Sequence, residues 1–520
     1  MQAAIVAARM GKLGDARAIL ERVAQSSAVN DGFFELYLDV LEAQRDWRAV
    51  DGAAKAWQQL QPTRPRAWEA QAKSAWESGM LHEALNLYRK AMSLAAPDAG
   101  RLATFARLCL NALEFDQASR ALDEAEAIDP QDVHLLSAKA GLLMFRGRFD
   151  EAEAYCRRSL ARDPDDVSAY RLLAQLKGGR LSPVERGTLG KLSQQTDLRI
   201  EHRISAAFAL GDCLDADGDV DGAFAAYELA QRLAAERGRA ESLLYKPETT
   251  VRDVGHLISL FPSLPAVPPG AATGAKTPRP LFIVGMPRSG TTLVESVLGA
   301  HSRVLACGER MILRQIKREY LWYAAQPRGV TAEIQANFVR AYFDQLPDLN
   351  GADHITDKNP WNFDAVGLIL AILPDAHIVH VRRNPVETGF SIYRHEFPKF
   401  QAFTQRLEHI GHFYGQYARL MSHWARLAGD RMTTIQYEDF VAGFDQAAPA
   451  LLAACGLDWE EGCRNFQANE RAVATLSTVQ VREPLKERTD RAPSYERHLR
   501  PLVDALDSAG VDLRTGALKS

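Results

Sequence analysis

At 520 residues the chain exceeds what one hydrophobic core normally serves, so two or three domains are expected. Its composition, 47% hydrophobic and 25% charged, excludes a disordered chain, and a net charge of −4 gives no footing for nucleic acid or an anionic membrane surface. The six cysteines form no CxxC pair and read as reduced, which fits the cytoplasm. The first residues lack a basic stretch followed by a long apolar one, and no apolar run reaches 18 residues, so neither a signal peptide nor a membrane span is expected.

The N-terminal half is periodic. Segments beginning at Leu13, Trp47, Leu81, Phe115 and Phe149 each start 34 residues after the last, and the residue three places on keeps the phase: Ala16, Val50, Ala84, Ala118, Ala152. Asp-Pro pairs at Pro130 and Pro164 are also 34 apart. A 34-residue period holding two helix-length segments is the mark of tetratricopeptide repeats, in which small residues let paired helices approach and proline ends the second helix. After about residue 171 the register slips. DVDGAFAAYELA, whose repeat start falls at Val220, reads as one more copy, so the repeat region is taken as 1–240 with an irregular last part. Such an array offers a groove for an extended peptide; the alternatives are a scaffold for the second half or a homodimer contact.

Residues 241–280 read as a helix followed by a linker, since 262–280 carry six prolines among small residues. From 281 onward, strand-like runs (281–284, 354–356, 377–381 and 432–437) alternate with helical segments such as 368–373, which predicts a parallel sheet flanked by helices. The expected fold class is therefore an α-helical solenoid followed by a P-loop-like α/β domain spanning 281–520.

Two motifs carry chemistry. LFIVGMPRSGTTL places Gly285 and Gly290 where a strand turns into a helix, so backbone amides and the helix N-terminus can face an anion, with Thr291 and Thr292 hydroxyls beside them. The lysine of an ATP-binding loop is replaced by Thr291, Arg288 lies inside the loop, and no magnesium-holding acid pattern follows, so a triphosphate is disfavoured and no metal site is expected. RRNPVETGFS then puts Arg383 at a strand end and Ser391 on the next helix, a second anion clamp. Two anion sites on one sheet edge suit a nucleotide phosphorylated at both 5′ and 3′ positions.

PRSGTTL followed by RRNPVETGFS resembles the sulfotransferase family, in particular the bacterial branch that joins tetratricopeptide repeats to a sulfotransferase domain, and the tyrosylprotein sulfotransferases. The resemblance implies an enzyme that uses 3′-phosphoadenosine 5′-phosphosulfate (PAPS), releases 3′-phosphoadenosine 5′-phosphate and needs no metal. The acceptor it implies is a hydroxyl or amine, a tyrosine of a protein or peptide among the choices, held with help from the repeat groove. Arg288, Ser289, Gly290, Thr291 and Thr292 match the 5′ loop, Arg383 and Ser391 the 3′-phosphate clamp, Tyr437 a pocket tyrosine and Ser477 the segment covering the nucleotide. Lys358 in TDKNPW matches the lysine that stabilises the transferring group. Glu309 in Cys307-Gly308-Glu309-Arg310 matches the general base, with His301 and His354 as runners-up. After Pro484 the sequence departs from the family pattern, lacking its glycine. Two other readings stand beside this one: a P-loop NTPase or kinase regulated by the repeats, and a catalytically degenerate repeat scaffold.

Overall fold

The computed structural model describes residues 1–26, 29–78, 80–112, 114–264, 277–468 and 490–519. It divides into two compact units, Met1–Leu172 and Leu173–Ser520.

The first unit is helical throughout. Helices begin at Leu13, Trp47, Leu81, Phe115 and Phe149, the five positions of the 34-residue phase, and each is preceded by a partner helix. Ala16, Val50, Ala84, Ala118 and Ala152 are all fully buried, as close approach of paired helices requires. Larger side chains fill between pairs: the Phe34 and Trp57 rings stack with centroids 5.5 Å apart. Helix starts are fixed by side-chain caps, with Asn30, Asp46, Asp98 and Asp132 each accepting from an amide three residues on. Helices Phe115–Ile128 and Phe149–Arg162 stop just before Pro130 and Pro164.

The second unit contains a five-stranded parallel sheet: β1 (Arg279–Gly285), β2 (Val304–Ala306), β3 (His354–Asp357), β4 (His377–Arg382) and β5 (Met432–Gln436). Its order is β2-β3-β1-β4-β5, so β1 lies at the centre, in register with β3 through Phe282 opposite Asp357 and with β4 through Gly285 opposite Val381. The side-chain alternation of a strand is plain in β1. Leu281 and Ile283 enter one core with Val294 and Leu298 of the helix Thr291–Leu298, while Phe282 and Val284 enter the opposite core with Phe390 and Trp424. All four β1 side chains are fully buried, each worth roughly 1.5–3 kcal/mol of transfer free energy. The chain leaves β1 toward β2 and later returns past it to β4, which makes the carboxyl ends of β1 and β4 a topological switch point.

The compact division falls at 172, earlier than the repeat boundary of 240 expected from the sequence. Helices Ile200–Ala216 and Val220–Ala240 form a hairpin in the unit of the sheet. There Gln231 donates to the Tyr393 carbonyl at 2.6 Å, and Tyr227 meets Phe390 edge-on at 6.5 Å. Among the described residues no helix is long and apolar enough to cross a membrane.

Candidate functional site

The loop after β1 is a tight turn built from two unusual backbone positions. Gly290 has φ +102°, and a Cβ there would lie 2.3 Å from the Tyr437 ring, so any larger residue is excluded twice over. Arg288 has φ +71°, a left-handed conformation that costs a non-glycine residue of order 1–3 kcal/mol and marks a loop held in shape by its surroundings. Ser289, Thr291 and Thr292 are buried against the start of the following helix. The Ser289 hydroxyl is enclosed and, among the described residues, has no hydrogen-bond partner.

The segment after β4 meets this loop. Asn384 caps the helix Pro385–Tyr393 by accepting from Val386 and Glu387 amides, and proline at the first helical position fixes the entry. Arg288 Nε donates to Ser391 Oγ at 3.1 Å, and Arg383 reaches the Arg288 carbonyl at 3.5 Å. The Arg383 guanidinium lies 5.0 Å over the Tyr437 ring, an arrangement that orients a cation. Among the described residues its Nε is buried without a partner, and the acids Glu387 at 3.8 Å and Asp490 at 3.9 Å stand beyond ordinary hydrogen-bond reach. Arg288, Ser289, Gly290, Arg383, Ser391 and Tyr437, far apart in sequence, are thus brought to one place. Ser477 lies outside the described residues.

A second group sits at the end of β3. Lys358, 1% exposed, donates through Nζ to Glu309 Oε1 at 2.7 Å, while the Glu309 side chain is 40% exposed. The turn that presents Glu309 uses Gly308 at φ +66°, held at both ends. The Gly308 amide donates to Glu295 at 2.9 Å, and its carbonyl accepts from the Lys358 amide at 2.9 Å. Glu295, buried on the loop helix, also accepts from the Thr356 hydroxyl at 2.8 Å. Sequence reasoning passed over Glu295, which ties the helix after the glycine loop to the Glu309 turn.

The two histidines stand at the other edge of the sheet. His354 opens β3 and His301 precedes β2, both at amino ends of strands, and each has a structural partner. The Arg303 amide donates to His301 Nδ1 at 3.1 Å, which leaves Nε2 to donate to the Asp458 carbonyl at 3.1 Å; His354 Nδ1 lies 2.6 Å from Asp353. Both lie near strand ends, and strand polarity makes these the amino ends, away from Glu309.

Asp357, next to Lys358, is the other residue missed. Its carboxyl is fully buried, accepts from Asn362 at 3.0 Å and lies 3.4 Å from the Tyr342 hydroxyl. Burial raises its pKa to about 7, against the pull of Arg310. A folded-state pKa above the unfolded value near 4 gives stability that is complete below pH 4 and lost as pH rises through about 7. Asp357→Asn keeps the acceptor for Asn362 and removes the titration. Thermal melts at pH 5 and pH 8 are therefore expected to show the parent losing more stability than the variant; parallel losses would refute the buried charge.

A parallel sheet with helices on both faces and a glycine-turned loop at its switch point defines a P-loop-like α/β domain. Residues 280–461 match the model of the sulfotransferase family, and residues 75–142 and 114–176 match that of the tetratricopeptide repeat, so the chain joins repeats of that kind to a sulfotransferase-family domain. An uncharacterized protein of Aquifex aeolicus (strain VF5) is 27% identical over 407 residues, 75% of this chain and 52% of the relative. Protein-tyrosine sulfotransferase 1 of Danio rerio is 23% identical over 202 residues, 35% of this chain and 54% of the relative. The chain spans about half the length of these curated relatives. The sulfotransferase domain from the Synechococcus PCC 7002 olefin synthase overlaps with a TM-score of 0.30 at 18% identity, covering 46% of this chain and 98% of that one.

Proposed function

We propose that this chain is a sulfotransferase that moves the sulfuryl group of PAPS to a hydroxyl or amine, with a tyrosine of a repeat-bound peptide as the favoured acceptor. The observation that carries the reading is the meeting of two arginine-bearing anion elements at one strand switch point, Arg288 bonded to Ser391 and Arg383 bridging to the Arg288 carbonyl. The residues present fit a doubly phosphorylated nucleotide. The enclosed Ser289 hydroxyl and Arg383 Nε, unpartnered among the described residues, are polar atoms that a bound anion would satisfy. In this reading the loop 286–292 holds the 5′ end of the donor and Arg383 with Ser391 its 3′-phosphate. Tyr437 lines the nucleotide pocket.

When bound, the donor supplies a sulfuryl group joined to a phosphate leaving group. Glu309 accepts the acceptor proton, and its partly exposed carboxylate is held in direction by Lys358. Arg288 and Lys358 oppose the charge that develops during in-line transfer, and the preset loop avoids reorganisation at that moment. The Aquifex relative is uncharacterized, whereas the Danio relative's name includes tyrosine; that name, with the repeats, favours a peptide acceptor.

Calorimetric titration of the full chain with 3′-phosphoadenosine 5′-phosphate in EDTA, beside Arg383→Ala, tests the reading. Metal-free binding is expected, weakened in the variant by roughly 1.5–3 kcal/mol, the worth of charge-assisted hydrogen bonds. No binding by the parent, with ATP and magnesium bound instead, would overturn it in favour of an NTPase; silence toward both nucleotides would leave the scaffold.

A further inference from the structure

Asp215 lies on the helix Ile200–Ala216, a segment that sequence reasoning assigned to the repeats, yet it is the hub of a network that ends at the Arg383 clamp. Its side chain is 11% exposed and accepts from three donors. Tyr495 Oη donates at 2.6 Å, Arg394 Nη1 at 3.3 Å, and Arg491 Nη1 completes the set. Asp212, one helical turn earlier, accepts from Arg394 Nη2 at 3.3 Å and from Tyr227 Oη at 2.9 Å. Arg394 follows directly on the helix that carries Ser391, so the hairpin grips both that helix and residues 491–495.

Those residues in turn reach the clamp. The Ala492 amide donates to Glu387 Oε1 at 2.6 Å, and Glu387 is buried one helical turn beyond Arg383, with its second carboxylate oxygen facing the guanidinium at 3.8 Å. The Phe390 and Tyr495 rings meet at 4.4 Å beneath the same contact. A continuous chain of contacts therefore runs from Asp215 through Arg491 to its chain neighbour Ala492, then to Glu387 and Arg383, and Tyr495 is bonded to Asp215 beside it. At 3.8 Å Glu387 acts on Arg383 by charge rather than by a hydrogen bond: a buried carboxylate draws the guanidinium toward one side and so limits the planes in which its fork can grip an anion.

We propose that Asp215 and Glu387 are positioning residues for donor recognition: through residues 491–495 they hold the Arg383 guanidinium in the plane that grips a 3′-phosphate. This rests on the reading of the function given above. Neither residue touches the ligand; both act through Arg383.

The test compares the full chain with Asp215→Asn and with Arg491→Gln, whose side chain is about half exposed and whose loss leaves the Asp215–Arg394 contact in place. Affinities for 3′-phosphoadenosine 5′-phosphate and for adenosine 5′-phosphate are measured by calorimetry, with melting temperatures as a control on folding. The preference for the 3′-phosphorylated ligand is expected to narrow about 5–20-fold in Asp215→Asn and about 2–5-fold in Arg491→Gln, the range of loosened charge-assisted contacts. A general structural role would weaken both ligands alike, and an unchanged preference in both variants overturns the proposal. If the parent binds neither nucleotide, the functional reading fails on its own and the proposal of donor positioning falls with it. Hydrogen exchange at the Ala492 amide then decides whether the tether exists: faster exchange in Arg491→Gln keeps it as an architectural contact, and unchanged exchange removes that too.

Discussion

Glu309→Gln is expected to lower the rate of sulfuryl transfer by about 10²–10⁴-fold, the usual contribution of a positioned general base, while leaving affinity for 3′-phosphoadenosine 5′-phosphate unchanged. The substitution is close to isosteric. The amide oxygen still accepts from Lys358, and the Gly308 turn that presents residue 309 is held by backbone bonds to Glu295 and Lys358 that do not involve the altered side chain. What is lost is the ability to take a proton. The carboxylate has the exposure such a role needs: one oxygen on Lys358, the side chain 40% open to an incoming acceptor. Single-turnover rates with preloaded donor separate the chemical step from binding. A variant retaining more than a tenth of the parent rate would remove Glu309 from the role, and at that point the two histidines could not replace it, because both lie at the amino ends of their strands.

Lys358→Met is expected to cost about 10²–10³-fold in rate, as removing one preorganised charge-stabilising donor does. Its effect on stability should be small for so buried a charge. The ammonium is 1% exposed and donates to Glu309. Removing an ammonium from water costs several kcal/mol, and the pair recovers that only with good geometry; losing one partner of such a pair is costly chiefly where the other charge stays buried and uncompensated. Glu309, partly open, can take up water when its partner is gone. A melting temperature held or raised, together with a collapsed rate, would place Lys358 in the chemistry. A large fall in melting temperature with a rate loss no greater than the loss of folded protein would instead make it a structural ion.

Much of the architecture was legible before any coordinates. The 34-residue phase located the start of five helices because the repeat buries the same small residue in each turn of the array, and Ala16, Val50, Ala84, Ala118 and Ala152 obey it. The loop was legible because a backbone that turns with φ +102° under a tyrosine ring admits only glycine, and composition records that demand. Strands β1, β3, β4 and β5 announced themselves as apolar runs. β2 did not, being three residues whose only signal is Val-Leu-Ala.

The hairpin at 200–240 shows where pattern stops. Amphipathic spacing tells that a helix buries a face, not what covers it, and here residues of the helix Pro385–Tyr393 meet that face. The same limit hid Asp357, Glu387, Glu295 and Asp215, acids whose character comes from burial and from partners far along the chain. Arg288 and Ser391 are 103 residues apart, Lys358 and Glu309 49 apart, and Asp215 and Tyr495 280 apart. The sequence by itself determined the repeats, the parallel α/β domain and its glycine-turned loop, since each is written in local periodicity or in residues that only one backbone path accepts. Which side chains meet was decided by the β2-β3-β1-β4-β5 order and by strand polarity, because a contact between distant segments leaves no periodic trace in either of them.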